Sequence, residues 1–322
     1  MRETIPTIDQ IIGINSEQEF RRIALELFRY QSRHCAPYRL YLQIMGIDPA
    51  EVSEVEQIPF LPIEVFKSQN LYCGPNEPEV CFTSSATTGM TPSRHYMASL
   101  TDYEVAFTAA YEQFYEGMPI YALLPCYLER EGSSLVYMVD RLVARYGGGF
   151  FLDDHKALVE GLDSTPGPKI LLGVSYALLD LAEEGVVLPP DTIVMETGGM
   201  KGRRKELSKS ELHAVLTKAF GVDTIHSEYG MAELTSQAYS SGGGVFEAPQ
   251  WMRVVVRDVN DPLSRLPVGA RGGVHIIDLA NRYSCSFIQT QDMGRVMADG
   301  SFVLEGRISG ADIRGCNLLV SV

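Results

Sequence analysis

Between Thr83 and Arg94 the chain crowds five hydroxyl side chains into six positions, Thr83-Ser84-Ser85-Ala86-Thr87-Thr88, turns at Gly89 and ends on a guanidinium. Hydroxyls and successive backbone N–H groups in a tight turn form a concave anion site, and a terminal Arg pairs bidentately with phosphate. Composition alone fits a Ser/Thr-rich surface loop equally well. Three further glycine-marked turns carry complementary chemistry. Thr197-Gly198-Gly199-Met200-Lys201-Gly202 pairs two glycines, which lets the backbone approach a flat ligand closely. Ser227-Glu228-Tyr229-Gly230-Met231-Ala232-Glu233 combines an aromatic ring for stacking on a base with a carboxylate able to hold Mg²⁺. Thr290-Gln291-Asp292-Met293-Gly294, followed by Gly306-Arg307, offers a carboxylate for ribose hydroxyls and a guanidinium for phosphate. Each turn alone is a weak signal, because turns after strands ordinarily contain Gly and Asp; the ordered set is much more specific.

These turns need a scaffold, and the apolar periodicity supplies one. Ser16 and Glu19 form a capping box ahead of Phe20, Ile23, Ala24, Leu27 and Phe28 at helical spacing. His34, Cys35 and Pro37 close that helix, a second runs through Leu40–Met45, and the prolines extend Ile58–Pro62. Helices are expected from a Thr101/Glu104 capping box to Tyr115, over Ser133–Tyr146, around Ser175–Glu184 with Ser175 as N-cap, and after the Ser208/Glu211 box. They alternate with strands at Ile120–Leu124, Gly149–Leu152, Lys169–Leu172, Thr192–Met195 and Thr224–His226. Such alternation predicts an α/β fold, a doubly wound and mostly parallel sheet flanked by helices, with ligands at the carboxyl ends of the strands. Past Gly242-Gly243-Gly244 the pattern turns to short strands at Arg253–Val256, Gly273–Ile277, Ser286–Gln289 and Phe302–Leu304, a smaller β-rich subdomain. The expected division is a helical N-terminal layer (1–75), an α/β nucleotide-binding region (76–241), the β-rich subdomain (242–308), and a hinge with a short C-terminal stub (309–322).

The 322 residues suffice for a sizeable core, and a formal charge of −14 argues against nucleic acid or anionic membrane as a partner. An anion such as ATP then needs a local positive site. No apolar run is long enough to span a bilayer, and the charged N-terminus does not read as a signal peptide. Six scattered cysteines without a CxxC pair suit reduced thiols in a cytoplasmic protein.

Taken in order, Thr83–Arg94, Thr197–Lys201, Tyr229–Glu233, Thr290–Asp292 and Gly306-Arg307 resemble the adenylate-forming acyl-activating superfamily, most closely its acyl-protein synthetase branch known from bacterial bioluminescence. Arg314-Gly315-Cys316 resembles that branch's tail, so the likeness runs roughly from Ile58 to the C-terminus. The resemblance implies an adenylate-forming N-domain-like fold. It also implies ATP- and Mg²⁺-dependent activation of a carboxylic acid, with a fatty acid first in line, release of pyrophosphate, and acyl transfer to a thiol of an acceptor protein or coenzyme A. It implies catalytic roles for Thr83, Ser84, Glu233, Arg307 and Cys316. Ser85, Thr87, Thr88, Gly89 and Arg94 would hold phosphates, Gly198, Gly199, Tyr229 and Gly230 would surround adenine, Asp292 would bind ribose, and Glu233 would hold the metal. Arg94 stands where the family usually has Lys, Ala232 where it has Thr, and Ala86 and Gln291 where it has Gly. The superfamily's late lysine has no counterpart, since the last lysine is Lys218. A shortened tail, completion by another chain, or a longer natural protein would each account for this.

Other readings stay open. Cys316 also reads as a small buried hydrophobe before Leu318-Leu319-Val320. With its departures the chain also reads as a catalytically degenerate adenylate-binding partner subunit. Gly173-Val174-Ser175-Tyr176-Ala177 sits at a strand-to-helix turn like a serine hydrolase elbow, with Ser175 as nucleophile and Asp223 and His226 as its partners. His95 and His226 adjoin the expected site, and Leu123–Tyr127 offers a wall for the acyl group.

Overall fold

The computed structural model describes residues 5–85, 91–125, 132–198 and 207–308. Its main sheet takes β4 (Ile120–Leu123), β5 (Gly148–Phe150), β6 (Lys169–Val174), β7 (Thr192–Thr197), β8 (His226–Tyr229) and β9 (Ala238–Ser240) in the order β5-β4-β6-β7-β8-β9. The pairings from β5 to β8 are parallel and β9 is antiparallel. β4 and β6 are buried at every residue, as strands covered on both faces must be.

The connections are α6 (Ser134–Tyr146) from β4 to β5, α7 (His155–Ser164) from β5 to β6, α8 (Ser175–Glu183) from β6 to β7 and α9 (Lys209–Phe220) from β7 to β8. From β4 the chain first steps outward to β5, then returns past β4 and continues to β8. Right-handed crossovers therefore put α6 on one face and α7, α8 and α9 on the other. The direction reverses between β4 and β6, which opens a crevice at their carboxyl ends.

The hydroxyl-rich loop is not a turn of this sheet. It joins β2 (Val80–Thr83) to β3 (Arg94–Met97), an antiparallel pair of its own in which Thr83 stands opposite Arg94. The next helix, α5 (Leu100–Tyr115), is capped by Ser99, whose Oγ accepts from the Asp102 N–H, and not by Thr101. Glu104, expected in the capping box, accepts instead from the Tyr137 hydroxyl at 2.5 Å. Ser16 and Ser208 cap their helices as read from the sequence, accepting from Glu19 and Glu211 N–H. The last strand of the parallel run is His226–Tyr229, beginning where Thr224–His226 was expected to end.

The second sheet is built from β10 (Val245–Phe246), β11 (Met252–Arg257), β12 (Gly272–Asp278), β13 (Phe287–Val296) and β14 (Phe302–Arg307), in the order β10-β14-β13-β12-β11. A two-residue strand from the N-terminal part, β1 (Leu61–Pro62), pairs with β13 in parallel. The helices α2 (Glu17–His34) and α3 (Ala36–Ile44) pack beside it, and Pro37 lies in the first turn of α3 instead of ending α2. Gln31 of α2 is fully buried; its amide donates to Asn281 O, Arg282 O and Ser286 Oγ and accepts from Ser286 N–H. One apolar core runs through both sheets and the helices between them. Among the described residues no helix is long and apolar enough to cross a membrane.

Candidate active site

A cavity of about 320 Å³ opens at the carboxyl ends of β4, β6, β7 and β8. Thr83, Ser84 and Ser85 enter it from the β2–β3 loop, Gly198 from the end of β7, and Gly230, Met231, Ala232 and Glu233 from the segment after β8. Leu124 and Pro125 after β4, with Leu135, Val136, Met138, Val174 and Tyr176, form an apolar wall. Thus residues up to 154 positions apart in sequence meet at the crevice that the reversal of strand order creates (83 to 237).

The hydroxyl loop is pinned at both sides. Thr83 N–H donates to Gly132 O at 2.7 Å, and Ser84 exchanges bonds with Ser93: its N–H donates to Ser93 O and its Oγ accepts from Ser93 N–H. Gly198 takes φ +69°, a left-handed conformation that an L-side chain adopts only with strain. Its carbonyl accepts from the Ser175 hydroxyl at 2.9 Å. Ser175 is therefore fully buried and spent on this turn; the N-cap of α8 is Val174. His226, the imidazole a hydrolase would need, bonds Tyr115 Oη through Nδ1 at 3.0 Å instead.

Glu233 is fully buried and held through its backbone. Asn281 Nδ2 donates to Glu233 O at 3.0 Å; His95 lies 2.8 Å from Ala232 O through Nδ1 and 3.0 Å from Asn281 Oδ1 through Nε2. Burial lowers the His95 pKa against these oxygens and the nearby Glu233 and Asp278 charges. His95 thus supports the 231–233 segment from behind, and it is absent from the cavity lining. The Glu233 carboxylate with the hydroxyls of Thr83, Ser84 and Ser85 is an oxygen donor set that suits Mg²⁺ held jointly with a phosphate ligand. Among the described residues no cluster of three or more His, Cys, Asp or Glu could hold a metal by itself.

Tyr229, Asp292 and Arg307 form a second cluster directly behind Gly230. Tyr229 packs edge-on against Phe246 and Phe302, and its hydroxyl donates to Asp292 Oδ2 at 2.8 Å. Arg307 Nε lies 3.6 Å from Asp292 Oδ1, and its guanidinium donates to Gln291 Oε1. Gln291 in turn donates to Glu64, so the glutamine at the family's glycine position ties the N-terminal layer to Arg307. None of these residues lines the cavity; their link to it is the Tyr229–Gly230 peptide. Arg94 likewise sits on the hairpin stem, outside the lining. Ala86, Thr87, Thr88, Gly89, Cys126, Tyr127, Gly199 and Cys316 lie outside the described residues.

Sequence reasoning passed over two lining residues, Glu228 and Gln237. Burial pushes the Glu228 carboxyl up to about 7; the Thr197 hydroxyl, donating to Oε2 at 2.5 Å, pulls the other way, and the Glu196 charge adds to the rise. Glu196 itself shows the opposite balance. Burial works to raise it, but Lys209, His213 and Ser227 bring it down to about 2. The signal for Glu228 was present in the same turn, where the aromatic and the second carboxylate drew the reading instead.

Residues 14–103 match the family model "Acyl-protein synthetase, LuxE". That stretch covers the N-terminal helices and the hydroxyl loop, whereas the motif likeness was read from Ile58 onward. A long-chain-fatty-acid–luciferin-component ligase of Photorhabdus luminescens is 36% identical over 85 residues, 26% of this chain and 72% of the relative. Among solved structures, an open conformation of 2-hydroxyisobutyryl-CoA ligase superposes with a TM-score of 0.66 at 16% identity, over 97% of this chain and 82% of that one. ATP-bound MatB from Rhodopseudomonas palustris does so with a TM-score of 0.54 at 15% identity, over 74% of this chain. The match spans about half (49%) of the MatB chain. At such identities the likeness is one of fold: the architecture is that of adenylate-forming ligases. Together with the sequence match, it shows that the chain belongs to the acyl-protein synthetase (LuxE) family of acyl-activating ligases.

Proposed function

We propose that the protein activates a carboxylic acid with ATP, forming an acyl-adenylate, and passes the acyl group to a thiol. The observation that carries this reading is the convergence of Thr83–Ser85, Gly198 and Gly230–Glu233 on one cavity at the strand-order reversal. Attack of a carboxylate oxygen on the α-phosphorus brings two anions together and breaks the bond to the departing pyrophosphate. Catalysis is then mainly positioning and charge neutralisation, and an already ionised acid needs no general base. The hydroxyls of the β2–β3 loop would hold phosphate oxygens. Glu233 would hold Mg²⁺, which when bound neutralises phosphate charge. Asp292 and Arg307 would hold ribose and phosphate, for which Tyr229 must yield its hydrogen bond. Thiolate attack on the acyl carbon, releasing AMP, completes the transfer; Cys316, an acceptor protein or coenzyme A would provide the sulfur.

Long-chain fatty acids are the first class to assay, by likeness to the Photorhabdus luminescens relative's name. The test is pyrophosphate release across fatty and aryl acids with ATP and Mg²⁺, with Glu233→Gln as control. ATP-dependent thermal stabilisation without release would favour the adenylate-binding subunit reading instead, and absence of both would favour an inactive chain. Acid-labelled protein whose label resists hydroxylamine, or survives Cys316→Ser, would take Cys316 out of the transfer step.

A further inference from the structure

The turn that carries Glu233 belongs to the main sheet, yet the second sheet holds it. Leu234 N–H donates to Met231 O at 3.0 Å, so Glu233 is the third residue of a four-residue turn between β8 and β9. The backbone leaving this turn presents two successive N–H groups to the last residue of β12. Thr235 N–H and Ser236 N–H both donate to Asp278 Oδ2, at 2.7 and 2.9 Å. Asp278 Oδ1 accepts from the Ser236 hydroxyl at 2.7 Å and from Ala280 N–H at 3.2 Å. Ser236 Oγ accepts in turn from Trp251 Nε1 at 2.9 Å. Asp278, Ser236 and Trp251 are all buried.

A carboxylate is costly to bury, and four donors on its two oxygens offset that cost here. Burial raises the Asp278 pKa, while the Ser236 hydroxyl and the two N–H groups work against the rise. A hydroxyl or amide in its place has one acceptor atom and could not serve both sides. The same short segment grips the other side of Glu233. Asn281 N–H donates to Asp278 O at 3.1 Å, and Asn281 Nδ2 donates to Glu233 O at 3.0 Å. Asn281 therefore takes a backbone acceptor at 233 and Asp278 takes backbone donors at 235 and 236. Asp278 itself does not line the cavity, so any effect it has there passes through the turn.

Resting on the reading of Glu233 as metal ligand, we infer that Asp278 is a positioning residue: by clamping the Thr235 and Ser236 N–H groups it fixes the turn that presents the Glu233 carboxylate to Mg²⁺. Mg²⁺ demands near-ideal octahedral geometry with ligand oxygens at about 2.0–2.1 Å, so a loosened turn forfeits the bond. Groups that orient a metal ligand without touching the metal are accordingly felt in metal affinity. The clamp also ties the metal site to the second sheet, because Asp278 ends β12 and Trp251 directly precedes β11.

The test is binding of α,β-methylene-ATP to the full chain, as its Mn²⁺ complex and free of metal, with the electron paramagnetic resonance signal of Mn²⁺ reporting coordination. Asp278→Asn should weaken the Mn²⁺ complex roughly tenfold or more, as Glu233→Gln should, and leave the metal-free nucleotide within about threefold of wild type. Ser236→Ala removes one bond to Asp278 and keeps both N–H groups on it. It should weaken the Mn²⁺ complex about threefold, and this milder variant decides the matter should Asp278→Asn not fold. Tyr38→Phe, which removes a buried bond to Pro59 O in the N-terminal layer, should lower the melting temperature without moving Mn²⁺ affinity. If Glu233→Gln loses the Mn²⁺ complex while the folded clamp variants bind it as wild type does, the inference is overturned and Glu233 stands as metal ligand. Clamp variants that lose the metal-free nucleotide equally overturn it too, because the damage is then general. Glu233→Gln binding the Mn²⁺ complex as tightly as wild type, or no binding by wild type, overturns the metal reading and the inference together.

Discussion

Tyr229 donates its hydroxyl to Asp292 Oδ2 at 2.8 Å, joining the end of the last parallel strand to the central strand of the second sheet. Both residues are buried, at 2% and 3% exposure, so the bond lies out of water where its loss is felt. Tyr229→Phe keeps the ring between Phe246 and Phe302 and removes only the donor. Stability should fall by about 1–3 kcal/mol, read as a shift in denaturant midpoint at unchanged slope. If Asp292 serves ribose, the freed carboxylate should also change KM for ATP more than it changes kcat. An unaltered KM would separate Asp292 from the nucleotide.

Glu233→Gln keeps the shape and the backbone bond from Asn281 but removes the charge. Pyrophosphate release is expected to drop by roughly a hundredfold or more, with little change in melting temperature. Asn281→Ala should produce a smaller activity loss together with a stability loss of about 1–3 kcal/mol. It strips partners from both His95 and the 233 carbonyl.

Two neighbouring carboxylates give opposite pH dependences. Glu228 holds its proton up to about pH 7, whereas in the unfolded chain it titrates near 4.5. The folded state therefore binds more protons between those values, and stability falls as pH rises through that window, by on the order of 3 kcal/mol. Glu196, lowered to about 2, adds stability that is complete above its unfolded value of 4.5 and is lost as pH falls toward 2. Melting temperature followed against pH should lose its decline between 4.5 and 7 in Glu228→Gln. Lys209→Met should be strongly destabilising near neutral pH, because it leaves the buried Glu196 charge with only His213 and Ser227 as partners.

Ser175→Ala removes the donor that holds the Gly198 carbonyl. A stability loss of about 1–3 kcal/mol and weakened pyrophosphate release through the Gly198 turn are expected. A fluorophosphonate probe should leave wild-type Ser175 unlabelled. Stoichiometric labelling there would restore the hydrolase reading.

Much of this molecule follows from local chemistry. Strand–helix alternation from Ile120 to Tyr229 is enough to require a parallel sheet with its ligand edge at the carboxyl ends. The Ser16 and Ser208 caps and the residue types of the four glycine-marked turns are likewise local facts, legible because capping and turn chemistry span only a few positions. Tertiary structure decided which turns share a cavity. The sequence order places Tyr229 and Asp292 beside the other motifs, yet packing against Phe246 and Phe302 turns the tyrosine toward β13 and away from the lining. It also decided that Thr83–Ser85 arrives on a separate hairpin, and that Ser175 is spent on Gly198. Glu228 could not be read from alternation, because a strand buried on both faces carries no period that distinguishes the cavity side from the core. Its partner Gln237 joins it only through the β8–β9 pairing around Gly230, a contact that the folded chain alone creates.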